Sequence, residues 1–362
     1  MTASPVPPDV VSLGDYERHA RERLPAPIWS YIAGAGADGI TRRWNREAFD
    51  RLKLEGRVLA DMSGAHTATE LFGLALEAPV IVAPMAFHRL AHPDGEMATA
   101  LGAAATGTLM TVSAQASATI EEIASSAQGP LWFQLYMQTR REDTLTLLRR
   151  AEAAGCKAVM VTVDAPVNGL RNEEQRAGFR LPEGIGAVNL KGMPGPVLRA
   201  GPGESPVFKG LLDAAPTWRD LEWLRGQTKL PLLVKGIMSH HDARLALDAG
   251  MDGIAVSNHG GRVLDTLPAA VEALPAIAGE IDGRVPVLLD GGIRRGTDIL
   301  KAIALGANAV MIGQPILHGL AVAGPVGVAH VLNILRAELE VAMALTGRPR
   351  IAEIDRSVIA FS

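Results

Sequence analysis

The sequence predicts an α/β fold: a (β/α)8 (TIM) barrel with an N-terminal helical segment and a long Gly/Pro-rich loop after the fourth strand. Three observations carry this. Eight short apolar or β-branched runs occur at 80–84, 108–113, 132–136, 158–164, 232–236, 253–258, 285–291 and 309–313. Helical patterns with polar or acidic starts lie between most of them, and strands that are apolar throughout mark a parallel sheet covered by helices. Eight such units favour a closed barrel over an open doubly wound sheet.

The elements follow in order. Residues 1–10 are proline-rich and are expected to fray. A helical pattern runs from Ser12 through Leu13, Tyr16 and Ala20 to Leu24, where Pro25 and Pro27 stop it. A second helix over 28–33 ends at Gly34 and Gly36. Helices are predicted over 95–106, 119–126, 142–154, 240–249 and 297–305, with Ala154-Gly155 and Ala249-Gly250 as C-terminal stops. The connection from Pro166 to Trp218 breaks the rhythm, and its stretch 181–216 holds seven glycines and six prolines in 36 residues. A loop of that length in a compact domain is read as a lid or a disordered segment. The last long helix covers 326–347. The chain is thus expected to be one domain: an N-terminal helical extension (1–75), a barrel (76–350) carrying the loop, and a C-terminal tail (351–362) packed outside.

Bulk properties narrow the function. A hydrophobic content of 48% supports a large core. The net charge of −4 argues against nucleic-acid binding, which favours a clustered basic surface. The lone Cys156 excludes an intramolecular disulfide framework. Without a signal-like start or an apolar run of membrane-spanning length, the reading is a cytoplasmic protein with no membrane partner.

Barrel chemistry sits at the C-terminal ends of the strands. Those ends carry Pro84-Met85-Ala86, Ser113, Gln134 with Tyr136, Thr162 with Asp164, and Lys235. Ser257 with His259 and Arg262 comes next, then Asp290-Gly291-Gly292 with Arg294, then Gly313-Gln314. Each has a bland reading as a turn or cap, but so many polar groups at one mouth is not a packing pattern. A histidine and an arginine three residues apart suit proton transfer on a carboxylic acid. The glycine-rich ends of strands seven and eight suit a phosphate. No GxGxxG fingerprint follows a strand, so flavin mononucleotide (FMN) fits better than a nicotinamide dinucleotide. His88 and His92 lie in a post-strand loop with no third ligand, and His240-His241 opens a helix, so no metal is expected.

The run Ser257-Asn258-His259-Gly260-Gly261-Arg262-Val263-Leu264-Asp265 resembles the FMN-dependent L-2-hydroxy-acid oxidase and dehydrogenase family, with glycolate oxidase, lactate oxidase and mandelate dehydrogenase. Val234-Lys235-Gly236, Phe133-Gln134-Leu135-Tyr136, Thr162-Val163-Asp164 and Leu289 to Asp298 support the resemblance, which spans Tyr16 to the C-terminus. The resemblance implies oxidation of an L-2-hydroxy acid to the 2-oxo acid. His259 would be the base, Asp164 its orienting partner, and flavin N5 the electron acceptor. It implies Arg171, Arg262 and Tyr31 on the substrate carboxylate, Tyr136 on its hydroxyl, and Lys235 beside the flavin N1–O2 edge. Ser113, Gln134, Thr162 and Ser257 would hold the ring edge, with Pro84, Met85 and Ala86 near N5. Asp290 would bind the ribityl chain, and Gly291, Gly292, Arg294, Gly313 and Gln314 the phosphate end. Reoxidation by O2 to H2O2, a homotetramer or octamer, and a mobile loop over 181–216 are further implications. A quinone or cytochrome acceptor, a non-redox FMN isomerase of the isopentenyl diphosphate type, and a non-catalytic binding barrel are the competing readings.

Two positions depart from the family pattern. Gln314 stands where the family usually presents arginine, which removes a charge-assisted contact and predicts looser FMN. Arg295 or backbone amides are the alternative source of compensation. Gln115 replaces a tryptophan or tyrosine of the substrate wall, with Met85 and Phe87 as an apolar wall opposite. That predicts an acid bulkier or more polar than glycolate. Ala86 matches oxidases and dehydrogenases rather than the monooxygenase branch.

Overall fold

A computed structural model describes residues 5–195, 200–212 and 215–360. Its eight barrel strands are β1 (Val80–Val82), β2 (Leu109–Ser113), β3 (Leu131–Leu135), β4 (Val159–Thr162), β5 (Leu232–Ile237), β6 (Gly253–Val256), β7 (Val287–Asp290) and β8 (Ala309–Ile312). They pair in chain order, all parallel, and β8 closes on β1 with Met311 opposite Ile81. Apart from polar residues toward their C-terminal ends, the strands are largely apolar because both faces are buried. Ile81, Leu109, Trp132, Met160, Leu233 and Leu288 fill the barrel, while alternate residues such as Val82 and Val161 pack against the outer helices.

Beneath the barrel a hairpin pairs Thr69–Leu71 with Leu74–Leu76, and Phe72 at its tip meets Trp132 with ring centroids 5.8 Å apart. The sequence reading did not find this plug. It also missed the helix Ile40–Arg51, whose charge-dense face hides a buried stripe of Thr41, Asn45, Ala48 and Phe49. A further helix, Ala270–Ile281, was obscured by its internal Pro275.

The N-terminal helix forms over Leu13–Arg23 with Ser12 as its cap and Tyr16 bonded to His330 at 2.8 Å. The expected fraying of 1–10 does not extend over its described part. Asp9 pairs with Arg18 at 2.9 Å and His19 at 3.0 Å, and Val10 is buried. Residues 1–4 lie outside the described residues. The predicted loop over 181–216 is partly outside them too, at 196–199 and 213–214, and the tail at 361–362. Within the described part, Asn189 is buried and holds the loop to the barrel. It accepts from Ile120 N (3.0 Å) and Arg150 (3.0 Å) and donates to Ala118 O (3.1 Å).

The last helical stretch runs Gln314–Thr346 but breaks at Ala323 and Gly324. It begins well before the predicted 326–347, and at 33 residues it is long and apolar enough to cross a membrane by length and composition alone. Two-thirds (67%) of its most apolar window is buried, so the apolar residues serve packing. Gly319 and Gly327 let the halves fold together, since a Cβ on Gly327 would sit 2.0 Å from Gly319 O.

Candidate active site

A cavity of ≈1070 Å³ opens at the C-terminal ends of the strands. Every predicted site residue lines it except Asp164 and Ser257, which lie behind the lining.

At the centre, Ser257 follows β6 and the chain turns at His259, whose φ of +56° is left-handed. That conformation is costly for a residue with a Cβ, and functional sites are where such strain is retained. His259 Nδ1 meets Asp164 Oδ1 at 2.8 Å. The carboxylate keeps the ring proton on Nδ1 and leaves Nε2 as the basic nitrogen. Gly236 makes room for Asp164: its φ is +113°, and a Cβ there would lie 2.5 Å from the Asp164 Cβ. Burial pushes the Asp164 carboxyl up, but the charge and hydrogen bond of His259, with Lys235 adding, hold it below its ordinary 3.8.

Ser257 does not face the cavity as the ring-edge reading expected. Its hydroxyl accepts from Lys235 Nζ (2.8 Å) and from His259 N (3.0 Å) and donates to Asp290 Oδ1 (2.7 Å). It is fully buried because this network consumes its hydrogen-bonding capacity. Lys235 Nζ also lies 2.7 Å from Asp290 Oδ2. Burial disfavours the lysine charge, yet Asp290 and Asp164 outweigh it and raise Lys235 above its usual 10.5.

On one side of His259 stand two arginines. Arg262 donates to the carbonyls of Tyr31 (2.8 Å), Ile32 (3.3 Å) and Gly34 (2.7 Å), and its guanidinium lies over the Tyr31 ring at 5.5 Å. Glu174, which the sequence reading missed, contacts Arg171 at 3.1 Å and Arg262 at 3.5 Å and holds the pair together. Burial, then the charge of Arg171, lowers Arg262 to about 10. Burial also raises the phenols of Tyr31 and Tyr136, so both remain hydrogen-bond donors at neutral pH. Tyr31 stacks on Phe179 at 4.5 Å. Phe87 packs on Tyr31 at 6.1 Å instead of lining the cavity, which corrects its expected place in the substrate wall. Gln115 does line it, as do Met85 and Ala86.

Residues at the third and fourth strand ends test the fit of a flavin. Gln134 Oε1 accepts from Ser113 at 3.0 Å, but Gln134 Nε2 and Thr162 Oγ1 are buried without a partner. Orphaned polar atoms beside a large cavity are costly unless a ligand satisfies them. A planar ring with polar edges does so. At the far end Gly291 (φ +101°) and Gly292 (φ +81°) form a turn that side chains could not, with a Gly292 Cβ 2.2 Å from Asn45 O. Arg294 lies beside them and donates to Gln314 Oε1 at 3.0 Å. The residues present fit FMN.

The helix Ile40–Arg51 docks onto this mouth. Asn45 and Asn258 exchange amide hydrogen bonds at 2.8 and 2.9 Å. Asp265, the last residue of the central motif, accepts from Thr41 N at 2.7 Å and Ile40 N at 3.2 Å and so caps the helix. No spacing in the sequence announces these contacts, which join residues more than 200 apart. His88 is buried and bonded to Thr99 at 2.8 Å, and no group of three or more His, Cys, Asp or Glu able to hold a metal gathers among the described residues.

A model of the FMN-dependent dehydrogenase family matches residues 20–361. The chain belongs to that family. It is 46% identical over 356 residues to an L-lactate oxidase of a Nostoc species, covering 96% of this chain and 98% of the relative. It is 41% identical over 353 residues to glycolate oxidase 3 of Arabidopsis thaliana, covering 97% and 96%. Among solved structures, a mandelate oxidase with benzoyl-formic acid superposes with a TM-score of 0.88 at 40% identity, covering 96% of this chain and 97% of that one. The family is FMN-dependent, which agrees with the orphaned donors and the glycine turn.

Proposed function

We propose that this FMN-dependent enzyme oxidises an L-2-hydroxy acid to the 2-oxo acid and passes the electrons to O2, giving H2O2. The carrying observation is that His259, held from behind by Asp164 at 2.8 Å, faces the same cavity as Arg171 and Arg262. Arg171 and Arg262 hold the substrate carboxylate, with the Tyr31 hydroxyl adding a hydrogen bond. Tyr136 orients the substrate hydroxyl toward His259. Nε2 of His259 takes up the proton, and Asp164 stabilises the resulting imidazolium while holding the ring in place. Lys235, kept protonated by Asp290 and Asp164, supplies a fixed positive charge at the floor of the site. FMN, when bound, supplies the two-electron acceptor. Ser113, Gln134 and Thr162 fix its ring, and Gly291, Gly292 and Arg294 receive its phosphate end.

The polar Gln115 in the cavity lining supports a substrate larger or more polar than glycolate. We also infer a cytoplasmic homo-oligomer of four or eight chains. Val341 and Leu345 are exposed, and Leu345 O bonds Arg57 N beside exposed Val58 and Leu59, which makes an apolar surface for another copy. Light scattering on the purified holoenzyme measures that assembly.

The deciding experiment is anaerobic bleaching of the bound flavin by a panel of L- and D-2-hydroxy acids, followed by air and a peroxide assay. Bleaching by an L-acid, rapid recovery in air and one H2O2 per oxo acid are expected. No bleaching in FMN-loaded protein would overturn the reading. Persistent bleaching in air would overturn the choice of O2.

A further inference from the structure

A phosphate at the glycine turn carries up to two negative charges; Arg294 follows the turn in the chain, and Arg46 donates to its Gly292 carbonyl at 2.8 Å. Arg294 is buried, and burial disfavours its charge. Gln314 beside it is neutral. Its amide is engaged at both ends, accepting from Arg294 at 3.0 Å and donating to Ile32 O at 3.0 Å.

The other cationic side chains at this end differ in how far they are committed. Arg46 is held by both oxygens of Asp298, at 2.5 and 2.9 Å, and by Asp50 at 2.8 Å. Arg295 also lines the cavity but is paired with Glu338 at 3.2 Å and is half exposed. Arg43 is likewise exposed and faces Glu47 at 3.6 Å. His318 is buried with both ring nitrogens unpartnered, and burial, then the charges of Arg294 and Arg42, pushes it to about 3, so it is neutral. Arg42 remains. It lines the same cavity as Arg294, Gly292 and Gln314. Among the described residues its one ion-pair partner is Glu17 at 3.6 Å, with both side chains about a third exposed (33% and 35%), a weak and screened pair.

The position of Arg42 is built into the fold. Asp265 caps its helix, and Gly261 of the catalytic turn packs directly on its backbone: a Gly261 Cβ would lie 2.6 Å from Arg42 N. We propose that Arg42 is the second phosphate-facing cation of the cofactor site, supplying with Arg294 the charge that neutral Gln314 does not. The inference rests on FMN as cofactor and is independent of which acid is oxidised.

The test is flavin binding, not turnover. Full-length protein freed of flavin is titrated with FMN and, separately, with riboflavin, which has the same ring and no phosphate. Arg42→Gln is expected to weaken FMN about tenfold or more, as loss of a charge-assisted contact does, and to leave riboflavin affinity within about twofold. Gln314→Arg in the Arg42→Gln background is expected to restore FMN affinity, while Arg295→Gln changes neither ligand. Circular dichroism verifies that each variant is folded. An unchanged FMN-to-riboflavin affinity ratio in Arg42→Gln, or an equal loss in Arg295→Gln, would overturn the assignment. A wild type that binds riboflavin as tightly as FMN would overturn the phosphate site itself, whatever the bleaching experiment shows.

Discussion

Asp164 is the residue whose chemistry reaches furthest. Its carboxylate is held below its ordinary 3.8 against the effect of burial, chiefly by His259. A carboxyl with a depressed folded value stabilises the fold in full above the unfolded value and loses that contribution as pH falls through the folded one. Urea denaturation between about pH 2.5 and 6 is therefore expected to show a shallower acid-side loss in Asp164→Asn than in wild type. The same substitution removes the charge that stabilises the imidazolium, so kcat/KM is expected to fall about a hundredfold or more. Parallel acid limbs, or near-normal turnover, would mean that Asp164 is only a turn residue. Ser257 carries a different lesson. Its position at a strand end marked it as a site residue, but its hydroxyl is turned inward by Lys235 and Asp290.

Among the elements, the long connection after β4 (Val159–Thr162) is the one whose behaviour the composition described least well. Its length and its glycine and proline density predicted a lid or a disordered segment, and Leu190, Pro194 and Leu211 line the cavity. Asn189 nevertheless ties the segment to the barrel through Ala118, Ile120 and Arg150, so the described part has a fixed anchor. Asn189→Ala would leave a buried N–H and a carbonyl without partners, costing about 1–3 kcal/mol. The expected result is a lower melting temperature and a KM that rises more than kcat falls, because the loop then seats less often over the mouth. Steady-state kinetics with a thermal melt check this, and an unchanged KM would show that the anchor does not serve the site. The helix Ile40–Arg51 shows the opposite case: an element invisible to hydrophobic periodicity that sets one wall of the cavity through Asn45, Arg42 and the Asp265 cap.

At the scale of the whole molecule, the cavity is walled by residues from all eight strand ends and from the N-terminal segment. A ligand that fills it joins parts of the chain hundreds of residues apart and binds only the folded state. Removing FMN is expected to lower the melting temperature, and restoring it at a hundredfold excess over Kd to stabilise the fold by about 2.7 kcal/mol. Differential scanning fluorimetry across an FMN series reads this directly. A melting temperature independent of FMN would mean that FMN does not bind the folded state in preference to the unfolded chain.

The sequence by itself determined the barrel and most of the site. Strands buried on both faces must be apolar throughout, so eight of them can be counted without coordinates. Proton transfer, carboxylate recognition and phosphate binding demand His259, Arg262 and the Gly291-Gly292 turn as residue types, so they are legible at strand ends. Tertiary structure alone decided which way those side chains face and what holds them. The Asn45–Asn258 pair, the Glu174 bridge, the hairpin plug and the inward Ser257 all depend on contacts between distant segments. Local periodicity records whether a residue is buried, not against what, and polar residues buried in pairs leave no apolar stripe to read.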